Sequence, residues 1–475
     1  MERLVRFMAQ QRIRDPLHNL IVFDTGQQLE RVLWQVVRSR PFQRLRRIKQ
    51  LGFAELVFPG ATHTRFAHSV GVFHTARQLM DIVRERAGEQ RREAQEHIAL
   101  AAALVHDTGH GPFSHVFETV GKDLGLTLAN HEQMSDLLIR NSALADILKD
   151  MGSGFANDVA DMIKKEGEQT VHNAVVSSQF DADRLDYMRR DRLMSGSRHS
   201  AIDFAWLLAN LEIANVSIGV EKEKVQEVPT FVIGPKAIRA AEAYVLGLFH
   251  LYPTVYFHKA TRGAEKLFVE LLVRLVKLVQ DGSRAKVGLP DNHPLVQFAK
   301  EPENIETVLN LDDTVVQGAL SQLCAAEDEV IRSFAMRLQD RKLFKCLDIR
   351  ALVQHKIDPE NGRKPDHIEQ IDKCCAKVLV ALDALKEEEA ACGIPTLLTD
   401  EAHRVPYKTG DESREPLEQI NVRTAGGALV DLKQCSDVVA GLRDFKLARA
   451  YFDRDHPQIE AKIRGIIDME VQACG

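Results

Sequence analysis

The chain has 475 residues, room for about three domains of roughly 150 residues each. With 45% hydrophobic and 27% charged residues it can bury a large core, which excludes disordered, collagen-like and coiled-coil classes. A formal charge of −6 argues against coating nucleic acid through bulk charge, and no run approaches the ~20 apolar residues of a spanning helix, so a cytoplasmic protein without membrane insertion is expected.

The opening segment, MERLVRFMAQQRIRDP, has basic residues but no apolar core of signal-peptide length. Asp15-Pro16 breaks the chain. Leu33, Val36, Val37, Leu45, Ile48 and Leu51 then recur at helical spacing between Leu29 and Leu56. After the Pro59-Gly60 turn, apolar residues from Phe66 to Val83 predict a long amphipathic helix. Residues 97–107, HIALAAALVHD, are apolar around most of their circumference and predict a buried helix stopped by Gly109, Gly111 and Pro112. Helices are expected at 131–150, 157–166 and 172–195. Alternating β-branched residues around a charged centre predict a β-hairpin at 216–234. Helices resume at 236–280, and the Gly/Pro/Asp-rich stretch 281–294 predicts a boundary. Beyond it, helices are expected near 304–340 and 366–391, with short strands at 343–350 and 416–432. The expected fold is mainly α: a helical core at 1–280 with small β-hairpin insertions, then an α+β region at 281–475 for regulation or oligomerisation.

The seven cysteines, Cys324, Cys346, Cys374, Cys375, Cys392, Cys435 and Cys474, lie in the C-terminal third without a CxxC spacing. They read as reduced thiols rather than a disulfide frame or zinc site. A metal must then use His, Asp and Glu, and the chain holds 18 histidines.

The strongest local feature is His106-Asp107 at the end of the apolar helix, followed by HDTGHGPFSH, whose glycines let backbone approach a bound group. Alone, the dipeptide equally reads as a helix-end imidazolium favoured by the helix dipole. His68 precedes it in HTRFAHS, and His110, His115 and His131 follow. SSQFDADRLDYMRRD then supplies Asp181, Asp183, Asp186 and Asp191, with Asp183 and Asp186 on one helical face at i,i+3. Four carboxylates among basic residues suit a solvated face. Phe180, Leu185, Tyr187 and Met188 among them argue instead for partly buried carboxylates.

The order of motifs resembles the HD-domain phosphohydrolase superfamily: an upstream His, then HD, then a distant Asp. Within it the chain is similar to the deoxynucleoside triphosphate triphosphohydrolases, including the animal sterile-alpha-motif/HD-domain enzyme and its bacterial relatives. The similarity runs through IRDPLH, FQRLRRIKQLG, VFPGATHTRFAHS, HDTGHGPFSH, HEQ and DADRLDYMRRD, and returns at VYFHK. The resemblance implies an HD-domain helical core and a metal set of His68, His106, Asp107 and Asp183. Two imidazoles and two carboxylates suit a divalent ion such as Mn²⁺, Mg²⁺, Fe²⁺, Ni²⁺ or Zn²⁺, which would polarise the α-phosphate and activate water. The implied reaction converts a dNTP, with dGTP the preferred guess, into deoxynucleoside and inorganic triphosphate.

His110, Glu118 and His131 match a family set for acid/base work, with Glu118 replacing the Asp of the animal enzyme, and His115 matches a second candidate acid. Arg65 and Arg184 would clamp phosphate, Arg184 standing where the animal enzyme has Lys. Gln50 and Asp191 would hold the 3′-hydroxyl, Leu51 would crowd the 2′ position, Tyr187 would pack beside the sugar and Tyr256 would stack on the base. Gln43 and Arg46 match one effector site, and Val57, His258 and Lys259 its neighbour, implying nucleotide effectors and a homo-oligomer, a tetramer for preference. Arg38 stands in place of the Asp that reads guanine, and a cation cannot accept guanine N–H bonds. Six basic residues between Arg38 and Lys49 read as an anion or nucleotide site or as a solvated face. The implied biology is nucleotide-pool control or phage defence. Two other readings stand beside it: an HD phosphohydrolase of monophosphates, cyclic nucleotides or (p)ppGpp, and a nucleotide sensor or single-stranded nucleic-acid binder in which hydrolysis is secondary; for the enzyme, nucleic acid is only a secondary partner.

Overall fold

The computed structural model describes residues 9–474 apart from 87, 89–91, 200, 219–225, 361–363, 392, 406 and 408–418. The fold is mainly helical with small sheets, as the sequence predicts. Its strands are β1 (Gln10–Asp15), β2 (Asn19–Asp24), β3 (Leu211–Ile218), β4 (Gln226–Ile233), β5 (Lys345–Asp348), β6 (Leu397–Arg404), β7 (Asn421–Arg423), β8 (Leu429–Asp431) and β9 (Phe445–Phe452). Among the described residues no helix is long and apolar enough to cross a membrane.

The chain divides into two compact units, each discontinuous in sequence. One holds residues 1–255, 303–314 and 406–443; the other holds 256–302, 315–405 and 444–475. A single boundary after residue 280 therefore does not describe the packing. Glycine and proline at 281–294 mark turns, whereas later segments return to the first unit through backbone bonds that composition does not show. Residues 421–431 add β7 and β8 to the β3–β4 hairpin, giving the order β3-β4-β7-β8, with Ile233 of β4 paired parallel to Val422 of β7.

The first unit is built around α1 (Gln28–Arg38), α2 (Arg65–Arg86), α3 (Glu93–Val105), α4 (His115–Leu124), α5 (His131–Asn141), α6 (Phe155–Ile163), α7 (Val171–Val176), α8 (Ala182–Ser195) and α9 (Ile238–Leu251). Helix α3 is buried almost throughout, as its composition predicts. Helix α2 is not the amphipathic helix expected: Phe66, Val70, Val72, Phe73, Ala76, Leu79, Met80 and Val83 are buried on several sides, with His68, Ser69 and Thr75 among them. It runs through the centre of the unit, which is why polar side chains on it can meet partners out of water.

Two expected long helices are broken. Ser142 ends α5 and caps the next helix by accepting from Leu144 N. Residues 177–181 separate α7 from α8, where Asp181 takes the cap position and accepts from Arg184 N at 2.7 Å. The helices expected near 304–340 are three, Ile305–Leu309, Asp313–Leu323 and Glu329–Gln339. The antiparallel β1–β2 hairpin was not expected, because Asp15-Pro16 reads as a break rather than as the rim of a turn. The later hairpin forms in the predicted region, its loop lying outside the described residues.

In the second unit β9 lies between β5 and β6 in an antiparallel sheet. Helices Ile349–Ile357, Pro365–Ala391 and Pro457–Cys474 supply the core with Ile349, Val353, Cys374, Val378, Leu382, Ile459 and Ile463, against Leu397, Ala450 and Phe452 of the sheet. The sequence does not announce β6 and β9: Asp400, His403, Arg404, Lys446 and Arg449 interrupt any period-2 apolar signal, and Asp400 is itself buried.

Candidate metal centre and acid–base cluster

Helix α2 carries His68, the end of α3 places His106 and Asp107, and the first turn of α8 places Asp183. The structure brings these four together. His68 Nε2 lies 2.9 Å from Asp183 Oδ1 and 3.6 Å from Asp107 Oδ2; His106 Nε2 lies 3.4 Å from Asp107 Oδ1 and 3.7 Å from Asp183 Oδ1. Both Nε2 atoms are buried and form no well-directed hydrogen bond. Buried ring nitrogens without hydrogen bonds, facing two carboxylates, are costly in a bare protein and are what a divalent cation requires. The residues fit the metal that the resemblance implies.

The other ring nitrogens are held. His68 Nδ1 donates to Asp186 Oδ2 at 2.9 Å, and His106 Nδ1 to the Ala103 carbonyl at 3.0 Å. Each bond leaves Nε2 as the free ligand atom. The i,i+3 pair Asp183 and Asp186 therefore brackets one imidazole from its two nitrogens. Burial opposes charge on His68, but Asp183 and Asp186 raise its pKa to about 10. Burial likewise raises the Asp107 carboxyl, and Arg65 and His106 overcome this, holding it well below the usual carboxylate range. The set is thus arranged to take positive charge at its centre.

A second cluster adjoins the first. His110, His115, Glu118 and His131 converge, one nitrogen or oxygen of each lying within 4.8 Å of the others. Glu118 Oε1 accepts from His115 Nδ1 at 2.9 Å and from His131 Nδ1 at 2.5 Å, and the His110 and His131 rings stack at 4.0 Å. His110 Nε2 stands 3.3 Å from Asp107 Oδ1, joining the clusters. Burial, then Arg65 and His131, push His110 well below the usual imidazole range, so it is neutral near pH 7. His115 is exposed at the rim.

The loop between the clusters is tightly determined. Phe113 and Ser114 both have positive φ, 55° and 61°, a strained pair for residues with side chains. Phe113 N donates to Asp313 Oδ1 at 2.7 Å, Ser114 Oγ donates to the Lys49 carbonyl at 2.8 Å, and Arg65 Nε donates to Ser114 Oγ at 2.8 Å. A Cβ on Gly109 would lie 2.3 Å from the His131 carbonyl, and one on Gly111 2.2 Å from the Phe117 ring, so these glycines serve helix packing.

Four of the six residues in the basic run are engaged by carbonyls or carboxylates within the chain. Arg44 is fully buried and donates to the carbonyls of Leu311 at 2.8 Å and His110 at 2.7 Å. Arg40 pairs with Glu306, Arg47 with Asp312 and Lys49 with Glu55. The partners at 306 and 312 are some 260 residues away in sequence, so neither reading of the run could find them. Arg44→Ala is expected to lower unfolding stability by about 3 kcal/mol, since it orphans buried carbonyls at two sites. A urea midpoint unchanged from wild type would show that the guanidinium carries no such load.

Of the expected substrate residues, Arg65 is buried with Nη1 2.5 Å from Asp107 Oδ2. Arg184 is turned onto Asp181 and the Ser178 carbonyl. Asp191 is buried against His63, 2.7 Å from its Nε2. Gln50 Oε1 is buried without a hydrogen-bond partner, and Leu51 and Tyr187 are half-buried in the same unit. Gln43 accepts from Arg46 Nε at 3.0 Å, and Val57 is half-buried. Tyr256, His258 and Lys259 belong to the second unit, where His258 Nδ1 accepts from Ala260 N.

Sequence reasoning missed Asp15, His18, Gly71 and Arg190 beside the metal set, and Asp313 beside the loop. Comparison with known proteins agrees with the geometry. Residues 65–192 match the family model described as HD domain. Over 474 residues the chain is 28% identical to the uncharacterized protein YwfO of Bacillus subtilis (strain 168), covering 96% of each. It is 25% identical over 325 residues to the deoxynucleoside triphosphate triphosphohydrolase SAMHD1 homolog of Dictyostelium discoideum, covering 66% of this chain and 56% of that one. A solved phosphohydrolase of Bacteroides thetaiotaomicron superposes with a TM-score of 0.70 at 25% identity, covering 94% of this chain and 100% of the other. The chain carries an HD domain, and these likenesses together with the His/Asp cluster support a metal-dependent phosphohydrolase.

Proposed function

We propose that the protein is a dNTP triphosphohydrolase, releasing deoxynucleoside and inorganic triphosphate and regulated by nucleotides as a homo-oligomer. The observation that carries the reading is the adjacency of the two clusters: a two-His, two-Asp set whose buried Nε2 atoms form no hydrogen bond, joined by His110 to a His–Glu–His group. His68, His106, Asp107 and Asp183 would hold a divalent ion, which when bound polarises a phosphate and lowers the pKa of water. Glu118 orients His131 and His115 as proton-transfer groups at the leaving oxygen or the attacking water. Arg65, displaced from Asp107, and Arg184 would meet the triphosphate. Gln50, whose buried Oε1 lacks a partner, would accept from the 3′-hydroxyl, and Leu51 would exclude a 2′-oxygen.

The choice of a dNTP rests on likeness to the SAMHD1 relatives and on these contacts. The test supplies each dNTP with Mn²⁺ or Mg²⁺, alone and with every other dNTP, with GTP and ATP as controls. Deoxynucleoside plus triphosphate is expected, and dependence on a second nucleotide would identify the effector. Release of phosphate from monophosphates or (p)ppGpp, with no triphosphate from any dNTP, overturns the substrate. Leu51→Gly is expected to admit ribonucleotides, with a gain of roughly 10-fold or more in their kcat/KM. Unchanged rejection removes Leu51 from the sugar gate.

A further inference from the structure

The carboxylate that holds His68 is itself held by an element far from it in sequence. Asp186 is fully buried and receives four donors: His68 Nδ1 at 2.9 Å, His18 Nε2 at 2.6 Å, and Arg190 Nε and Nη2 at 2.8 and 3.0 Å. An ionised carboxylate offers about four acceptor directions, so this one is saturated and cannot swing toward the metal set. Arg190 and Asp186 lie one turn apart on α8, which makes that pair local. His18 is not local. It sits in the loop of the β1–β2 hairpin, 168 residues away, with a side chain only 2% exposed.

The hairpin loop is shaped to deliver it. Asp15 Oδ1 accepts from the backbone N–H groups of Leu17 and His18, both at 2.9 Å, and Asn19 closes the loop at φ 63°. Asp15 Oδ2 also receives Arg190 Nη1 at 2.8 Å, so the residue that shapes the loop also ties it to α8. On the α2 side the space is kept by Gly71, where a Cβ would lie 2.2 Å from both Arg190 Nη2 and Asp186 Oδ1. The His18 ring also rests against His74 of α2, with centroids 4.9 Å apart. Hairpin, α2 and α8 thus converge on one carboxylate whose remaining partner is a metal-ligand imidazole.

We propose that His18 is a positioning residue for the metal centre: through Asp186 it fixes the His68 ring so that Nε2 faces Asp107 and Asp183. This rests on the reading of His68 as a metal ligand. Loss of the His18 donor frees Asp186 to rotate, and with it the tautomer and plane of His68. The ligands stay in place but lose their preorganisation.

The test is Mn²⁺ affinity, read by the electron paramagnetic resonance signal of free Mn²⁺, on the full chain and the variants His18→Leu, His18→Gln and His106→Ala. His18→Leu is expected to weaken Mn²⁺ binding about 10- to 100-fold. His18→Gln, which retains an N–H toward Asp186, recovers most of that loss, and the variants' circular dichroism matches wild type. Wild-type Mn²⁺ affinity in His18→Leu, with or without a lower melting temperature, overturns the proposal, as does an equal loss in His18→Gln. If His18→Leu does not fold, Gly71→Ala gives the same reading from the α2 side. Alanine suits a helix better than glycine, yet this Cβ displaces Asp186, so weakened Mn²⁺ binding is again expected and unchanged binding is again fatal. Mn²⁺ retained by His106→Ala would place the metal elsewhere and overturn both this inference and the reading beneath it. Mn²⁺ lost in His106→Ala but kept in His18→Leu overturns the positioning role alone.

Discussion

Replacing His106 and Asp107 with Ala is expected to abolish metal content and hydrolysis together while leaving the helical fold. A bound ion supplies several kcal/mol of transition-state stabilisation, so turnover should fall on the order of 10³-fold or more. The fold survives because the two residues follow α3, whose core contacts come from Ile98 to Val105. Asp107→Asn serves as the gentler companion, since it keeps an oxygen for the Arg65 guanidinium that now lies 2.5 Å away. Elemental analysis and the product assay check both effects, and turnover retained without metal would sink the site. A linked effect has a defined sign. Burial resists a proton on His68, but Asp183 and Asp186 raise its pKa to about 10, so the metal-free protein holds a proton there at neutral pH. Metal must displace it, and binding should tighten as pH rises from 6 toward 9 with proton release. Calorimetry in buffers of different ionisation enthalpy measures the release, and affinity independent of pH would contradict it.

Much of this site was legible because its residues announce themselves by type and local spacing. His106-Asp107 ends an unmistakably apolar helix, and Asp183 with Asp186 falls at i,i+3 on another. What spacing could not say is that Asp183 and Asp186 face opposite nitrogens of one imidazole, because the imidazole lies on α2, more than 100 residues earlier. Asp181 and Asp191, of the same four carboxylates, have different work: one caps α8 and the other holds His63. None of the four belongs to a simple solvated face.

The hairpin around IRDPLH was the larger omission. Read locally, Asp15-Pro16 stops a chain. Only the fold shows Asp15 closing a turn and receiving Arg190 from 175 residues away. The same holds for Asp313, whose carboxylate accepts from Lys49 N and Phe113 N and so braces the loop that follows Asp107. Helix boundaries failed for a related reason: Ser142 and Asp181 are good N-caps inside continuous apolar patterns, and periodicity alone runs through them. Residue types named the chemistry, and contacts across long sequence separations decided which groups support it.

Glu118→Gln is expected to lower kcat by about 100-fold with KM and metal content unchanged, which separates the second cluster from the metal set. The carboxylate fixes two imidazoles at once, at 2.9 Å from His115 Nδ1 and 2.5 Å from His131 Nδ1. An amide oxygen can still accept N–H bonds but carries no negative charge to strengthen them. Metal lost from this variant would instead make Glu118 part of the metal site. The pH dependence of stability gives an independent check. Burial raises the Glu118 carboxyl, but His115 and His131 outweigh it and bring it down to about 2, below its ordinary value of 4.5. A carboxylate depressed in the folded state stabilises the protein above pH 4.5 and loses that contribution as pH falls toward 2. The gap in urea midpoint between wild type and Glu118→Gln should therefore be widest near neutral pH and narrow as pH falls toward 3. A gap that stays constant over that range would mean that Glu118 is not paired with the two histidines in solution, and the acid–base assignment would fall with it.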